Sequence, residues 1–468
     1  MRTRYIALLA TVAALALAAC GEVPSRGGDA LPLTDTTVFP DGARPVPDAF
    51  VGEGGGGLDG GPGDGAPPSE GGVAMHPARY VTGRTQSPLS PYVVRELKKI
   101  VQQGTQREAR AFAKIGASAT KSTSFMHCFA GSNVDLDGRN GLQLTIQHFS
   151  APLPGGTTSF DRTSLCATVG WNAAKAIAGS PTPLAQEVAA ISPRFAVVMY
   201  GTNDIGYKDI FGYANNMLEL SDRLMADGVI PILTSIMPRD DNASADVDVP
   251  RYNAVVRGVA QALQIPFIDF HRELLPLPGH GLAGDNLHPS TYSGGACVLT
   301  AAGLQDGYNV RNLITIEALD RMRRVVLGAD PAPDAAGPAL AGDGSPSFPF
   351  VIDHFPFSDM RNTAGSPYKN LQSYSGCNAT QDESGGEYLY KLVLTKQTTI
   401  HAYVFDRGSV DIDLHLLDAT ASEAGCIARD HQEITRTLQA GTYHLALDTF
   451  VMGGSAKAGE YLLVVLEE

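Results

Sequence analysis

A three-layer α/β/α fold with a parallel, flavodoxin-like sheet, followed by a small antiparallel β-sandwich, is what this 468-residue sequence predicts. Three observations predict it. Between residues 89 and 327, short β-like runs alternate with apolar residues at helical spacing, the pattern of parallel strands joined by crossover helices. From residue 350 onward the apolar spacing changes to period two, as in half-buried antiparallel strands. Two Pro/Gly-rich stretches, 21–88 and 328–349, bracket the first region and read as a disordered tether and a linker.

The first twenty residues open with Arg2 and Arg4, continue as an apolar run over 5–19 and end Leu17-Ala18-Ala19-Cys20. A run this short is an export signal, because a bilayer-spanning helix needs about 20 apolar residues and no later stretch supplies them. Leu-Ala-Ala-Cys resembles a bacterial lipoprotein box. That resemblance implies cleavage before Cys20, lipidation of its sulfur and a membrane anchor in the cell envelope. Gly21 follows in place of the Asp that marks inner-membrane retention, so the outer membrane or cell surface is the expected location. As a random coil the tether would span about 45 Å, enough to hold a folded unit clear of the membrane.

In the α/β region, Pro91 suits a first helical turn, and Val93, Val94, Leu97, Ile100 and Val101 follow at helical spacing. Strands are expected at 111–116, 142–149, 195–200, 230–236 and 266–270, with helices near 171–178, 213–226, 252–263 and 312–327. In the last region Tyr388, Tyr390, Leu392 and Leu394 share one face of a strand, and Tyr443, Leu445 and Leu447 share a face of another. Asp406-Arg407-Gly408 and Ala440-Gly441 mark turns between strands. No internal repeat is visible.

Three motifs fall at or beyond the ends of expected strands, where open α/β sheets place their ligands. They are Gly116-Ala117-Ser118, Gly201-Thr202-Asn203-Asp204 and Asp285-Asn286-Leu287-His288-Pro289. Acyl transfer at neutral pH needs a nucleophile beside a base, a group that orients the base, and donors aimed at the developing oxyanion. Ser118, His288, Asp285 and Asn203 are candidates for those roles. Each also has a plainer reading, Ser118 as a helix N-cap, Asn203 as an Asx-turn residue and His288 as a loop histidine.

With these residues in order, the middle region resembles the SGNH hydrolases, the GDSL-type esterases and lipases, over roughly residues 90–327. Asn203 follows Ser118 by 85 residues and Asp285 follows Asn203 by 82. The resemblance implies a catalytic Ser118, Asp285 and His288, an oxyanion hole formed by Ser118, Gly170 of Thr168-Val169-Gly170-Trp171 and Asn203, and no cofactor. One position departs from the family: Ala117 stands where an Asp is usual, so that side chain cannot hydrogen-bond the surrounding loop. The expected substrate is a carboxylic ester, a small molecule or an O-acyl group on envelope or extracellular polysaccharide. Acyl transfer to a sugar hydroxyl and an inactive carbohydrate-binding protein on the same scaffold are the alternatives.

A net charge of −14 and the absence of a Lys/Arg stripe argue against nucleic acid as a partner. With Cys20 set aside, five cysteines remain, so at least one cannot pair within the chain. Cys377 and Cys426 are the candidate disulfide, worth up to about 4 kcal/mol by loop entropy. The cysteine and histidine spacing fits no zinc motif, and no metal is expected. Val410-Asp411-Ile412-Asp413-Leu414-His415 and Ala440-Gly441-Thr442-Tyr443 resemble the bacterial pre-peptidase C-terminal β-sandwich. Asp411 and Asp413, two apart on a strand, read as a solvated face, with calcium binding as the alternative.

Overall fold

The computed structural model describes residues 75–468; the expected signal, Cys20 and most of the tether lie outside them. In chain order the first elements are α1 (Pro91–Gln103), β1 (Glu108–Gly116), α2 (Ser118–Lys121), α3 (Gln143–Phe149), α4 (Ala173–Ile177), α5 (Pro183–Ile191) and β2 (Pro193–Met199). There follow α6 (Ile210–Ala226), β3 (Ile230–Thr234), α7 (Ala243–Asp246), α8 (Val249–Leu263), β4 (Phe267–Ile268), α9 (Phe270–Leu274) and α10 (Gly307–Arg321). The four strands form one parallel sheet in the order β1-β2-β3-β4, with Gly116 level with Met199 and Val197 level with Ile232. A parallel bridge between Gly116 and Ala167 adds a one-residue fifth strand outside β1. Counting it, the order is that of a flavodoxin-like sheet with its second strand nearly dissolved, and the strand order reverses between β1 and β2.

Local sequence explains most of these elements. Ser90 caps α1 by accepting from the Val93 amide at 3.4 Å, Pro91 occupies the first turn, and Val93, Leu97 and Ile100 face the core. Every residue of β2 and β3 is buried, as expected of strands covered on both faces. Residues 142–149, expected as a strand, instead enter α3. Thr145, Ile146 and Phe149 are its buried residues, and with Leu142 just before it they recur three and four apart (142/145/149 and 142/146/149), which is helical spacing. Helix α10 begins five residues before the expected 312, because buried Asn309, Arg311 and Asn312 interrupt its apolar pattern.

The composition of 21–88 also misplaced the end of the tether. Ala78 and Tyr80 are buried, the Tyr80 hydroxyl donates to Ile265 O at 2.9 Å, and Gln86 bridges Ile268 at the outer edge of the sheet. Residues 85–87 thereby satisfy the edge of β4, with the Ser87 amide on Phe267 O at 2.9 Å and the Asp269 amide on Thr85 O at 2.8 Å. The 328–349 linker is fastened as well. Asp334 accepts from the Leu89 amide at 2.7 Å and from Arg321 at 2.6 Å.

The last region adds β5 (Phe350–Ile352), β6 (Phe357–Asn362), β7 (Glu387–Leu394), β8 (Thr398–Asp406), β9 (Ile412–Leu417) and β10 (Cys426–Asp430). It continues with β11 (Glu433–Leu438), β12 (Gly441–Thr449), β13 (Val451–Met452), β14 (Ser455–Ala456) and β15 (Glu460–Glu467). Sheets ordered β10-β9-β12-β7-β5 and β11-β8-β15-β6 face one another across a core that includes Tyr390, Leu414, Leu447 and Leu463. All pairs are antiparallel except β5 with β7. The outer face of the second sheet docks on the α/β region. Tyr403, Phe405, Leu462 and Val464 join its core, the Phe211 and Phe405 rings lie 5.5 Å apart, and Gln261 donates to Ser358 O at 2.6 Å. Residues 75–468 are accordingly one structural unit. Among the described residues no helix is long and apolar enough to cross a membrane.

Candidate active site

Gly116 ends β1 where almost no space is left. A Cβ there would lie 2.6 Å from Met199 O and 2.4 Å from Thr120 Oγ1, so only glycine lets β1 run this close to β2 and turn into α2. Ser118 is the first residue of α2, and the N-cap position falls to Ala117, which supplies no side-chain bond. The Ser118 amide, at a helix start, has no intrahelical acceptor. Its hydroxyl points away from the helix and toward His288.

The Asp285–Pro289 loop carries the other two residues. His288 Nε2 lies 2.7 Å from Ser118 Oγ, and its Nδ1 lies 2.7 Å from Asp285 Oδ2. The carboxylate accepts a hydrogen bond from Nδ1–H, which leaves Nε2 as the acceptor for the serine hydroxyl. Asp285 Oδ1 accepts the Leu287 amide at 3.1 Å and the His288 amide at 3.0 Å, which fixes the loop. The hydrogen bonds from His288 hold the Asp285 carboxyl down at about 2 although the group is exposed.

Gly201, at φ +128°, turns the chain after β2, and Asn203 follows. Asn203 Nδ2 donates one hydrogen to Trp171 O at 2.8 Å, leaving the second free. This bond ties Asn203 to the turn that holds Gly170, at φ +77° and exposed. That turn in turn runs beside the nucleophile strand, since Gly116 N donates to Cys166 O and Thr168 N to Gly116 O, both at 3.1 Å. The predicted residues of all three motifs and Gly170 thus gather at the carboxyl edge of β1 and β2.

Several residues that support this edge were not singled out from the sequence. Asp204, the last residue of its motif, accepts from Gly201 N and Ala173 N, both at 2.9 Å; burial raises its carboxyl to about 6. Arg239 donates to Thr202 O at 2.8 Å and pairs with Asp241, whose amide donates to Asn286 O at 2.9 Å. One side chain therefore links the Asn203 loop to the His288 loop. From α10, Arg311 donates to Ala119 O at 2.8 Å and to Thr120 Oγ1 at 2.9 Å, and Tyr308 donates to Ala119 O at 3.2 Å. Arg311 is fully buried over the Phe125 ring, and burial lowers its guanidinium to about 10. These bonds brace α2 from behind, where Ala117 offers nothing. Only Asp204 had a local signal; Arg239, Tyr308 and Arg311 meet the site through tertiary structure.

The cysteines complete the frame. Cys128 pairs with Cys297, and Cys377 pairs with Cys426 as expected from their place in the last region. Among the described residues Cys166 is the free thiol, buried and pushed up to about 12 by that burial.

Residues 155–292 match the model of the GDSL-like Lipase/Acylhydrolase family, a span that includes Gly170, Asn203, Asp285 and His288 and begins after Ser118. Among solved structures, the chain is similar to a two-domain esterase active on acetylated mannans, at 11% identity over 81% of this chain and 97% of that one, with a TM-score of 0.32. It is similar to the acetylxylan esterase Axe2 from Geobacillus stearothermophilus at 16% identity over 46% and 95%, TM-score 0.31. It also resembles a GDSL-like lipase from Bacteroides thetaiotaomicron at 20% identity over 33% and 74%, TM-score 0.25. No curated protein matches. The family model is matched across the loops that frame the β1–β2 edge, so this part of the α/β region is similar to GDSL-like lipases and acylhydrolases, and the protein is an ester-hydrolysing enzyme.

Proposed function

We propose that Ser118, His288 and Asp285 are the catalytic triad of a serine esterase. The observation that carries this reading is the continuous chain from Ser118 Oγ to His288 Nε2 and from His288 Nδ1 to Asp285 Oδ2, each contact 2.7 Å. His288 takes the Ser118 proton as Oγ attacks the ester carbonyl, and Asp285 steadies the imidazolium that forms. The oxyanion is met by the Ser118 amide, the Gly170 amide and the free Nδ2 hydrogen of Asn203, one such donor being worth about 3 kcal/mol. His288 then returns its proton to the leaving alcohol, and water, deprotonated by the same histidine, hydrolyses the acyl-enzyme. The chemistry uses only groups of the chain.

The substrate we assign is an O-acyl group on an extracytoplasmic polysaccharide. Val169 and Tyr207, 65% exposed in the two loops that carry Gly170 and Asn203, offer an apolar and an aromatic surface beside the site, suited to a sugar ring. Export and lipidation at Cys20 would put the enzyme where such polymers lie. A fluorophosphonate probe tests the nucleophile. Stoichiometric labelling that is lost in Ser118→Ala supports the reading; labelling retained in that variant overturns it. Acetate released from acetylated xylan or mannan then tests the substrate class.

A further inference from the structure

The strand pair β9 and β10 carries a polar cluster remote in sequence from the three motifs. Asp413 is not on a solvated face as the alternation suggested. It is 2% exposed, because the segment before β7, closed down by the Cys377–Cys426 disulfide, covers that side of the sheet. Beside it His431 Nδ1, from the turn between β10 and β11, lies 3.1 Å from Asp411 Oδ1 and 3.3 Å from Asp413 Oδ1. The three side chains offer ligand atoms that all fall within 4.8 Å of one another.

Those spacings are informative. Donors about 2.1 Å from a shared ion stand about 3.0 Å apart in octahedral and about 3.4 Å apart in tetrahedral geometry. Both measured separations lie in that interval and exceed the 2.7–2.9 Å usual for charge-assisted hydrogen bonds. A second observation points to a ligand. Glu383 is fully buried against Asp413, shares Arg429 with it, and has an Oε2 atom with no hydrogen-bond partner. Asp406, which faces His431 and Asp411, adds a fourth carboxyl, while Arg429 is the guanidinium paired with Asp413.

We propose that Asp411, Asp413 and His431, with Glu383 as a further carboxylate, bind one divalent transition-metal ion of the zinc or manganese class. The imidazole donor selects against calcium, which takes oxygen ligands. Arg429 orients Asp413 by its other oxygen, as outer-shell groups commonly do. The ion fastens four separate segments: the turn before β9, β9 itself, the β10–β11 turn and the segment before β7. It stabilises the β-sandwich and takes no part in ester hydrolysis.

The test is calorimetric titration of EDTA-stripped full-length protein with zinc, manganese and calcium chlorides, with metal content measured after dialysis. The expected result is one zinc or manganese ion per chain, bound at least 100-fold more tightly than calcium, with a rise in Tm of several degrees. His431→Ala and Asp411→Asn, at partly exposed positions and checked by circular dichroism, should weaken binding at least 50-fold and abolish the Tm rise. Hydrolysis of p-nitrophenyl acetate should change less than twofold. No stoichiometric uptake, uptake unchanged in both variants, or preference for calcium that ignores His431→Ala would each overturn the proposal.

Discussion

Asp285 and Asp204 are both carboxylates of the β1–β2 edge, and their surroundings push them in opposite directions. Asp285, exposed but held by His288, stays ionised to about pH 2. Lowering the pH from 7 to 4 therefore leaves it charged, and the acid limb of kcat/KM should show loss of one group only, with no second break from Asp285; pH–rate profiles check this. Asp204 is raised by burial from 3.8 to about 6, so the folded state binds more protons than the unfolded state between those values. Stability should consequently fall as pH rises from about 4 to about 6 and level off above, and Asp204→Asn should lack that part of the slope in urea titrations. At Gly116 the constraint is steric. Gly116→Ala drives a Cβ into Met199 O and should cost at least about 2 kcal/mol in the same assay.

At the scale of elements, what holds α2 is Arg311 and Tyr308 of α10 rather than its own sequence. Helix α2 has four residues, too few to be stable alone. Arg311→Met keeps volume and removes both hydrogen bonds to α2. The expected outcome is kcat reduced roughly 10- to 100-fold with KM within about twofold, the signature of a misplaced nucleophile. The Cys128–Cys297 bond ties the segment after α2 to the segment after the His288 loop across 169 residues. Replacing both cysteines by Ala should cost up to about 5 kcal/mol by the chain-entropy estimate, measured by thermal or denaturant unfolding.

Elements also show what the sequence made legible. Strands β1 to β3 and helix α6 were visible because buried runs and strong amphipathic periods are local signals. Helix α3 was not, because residues 142–149 combine Leu, Thr, Ile and Phe, a strand-like composition, at helical spacing. Ser118, Asn203, Asp285 and His288 were singled out because each stands in a short motif at or beyond the end of an expected strand. Arg239 and Arg311 were silent, since an arginine's partners across more than a hundred residues leave no local pattern. The pairing of Cys128 with Cys297 was hidden for the same reason.

Across the whole molecule, the β-sandwich is part of the enzyme's core rather than a tethered appendage. Helix α8 packs on β6 and β15, with the Cβ position of Gly258 only 3.0 Å from Val464, and Arg79 and Arg407 pair with Asp353 and Asp222 across the same boundary. A chain truncated after residue 341 exposes that apolar contact and should show lower Tm and greater aggregation than the full chain, read by scanning calorimetry and light scattering. The linker and the 75–88 segment are both fastened to the folded unit, which composition alone concealed because the linker is rich in Gly, Pro and Ala and 75–88 continues from the Gly/Pro-rich stretch before it.

The central claim is that Ser118 and His288 perform the hydrolysis, and it is tested most directly by kcat/KM for p-nitrophenyl acetate, butyrate and octanoate. Wild-type protein should turn over at least one of these esters, and Ser118→Ala and His288→Ala should each lose at least about 1,000-fold. An inactive wild type, or a Ser118→Ala variant that matches it, would contradict the account.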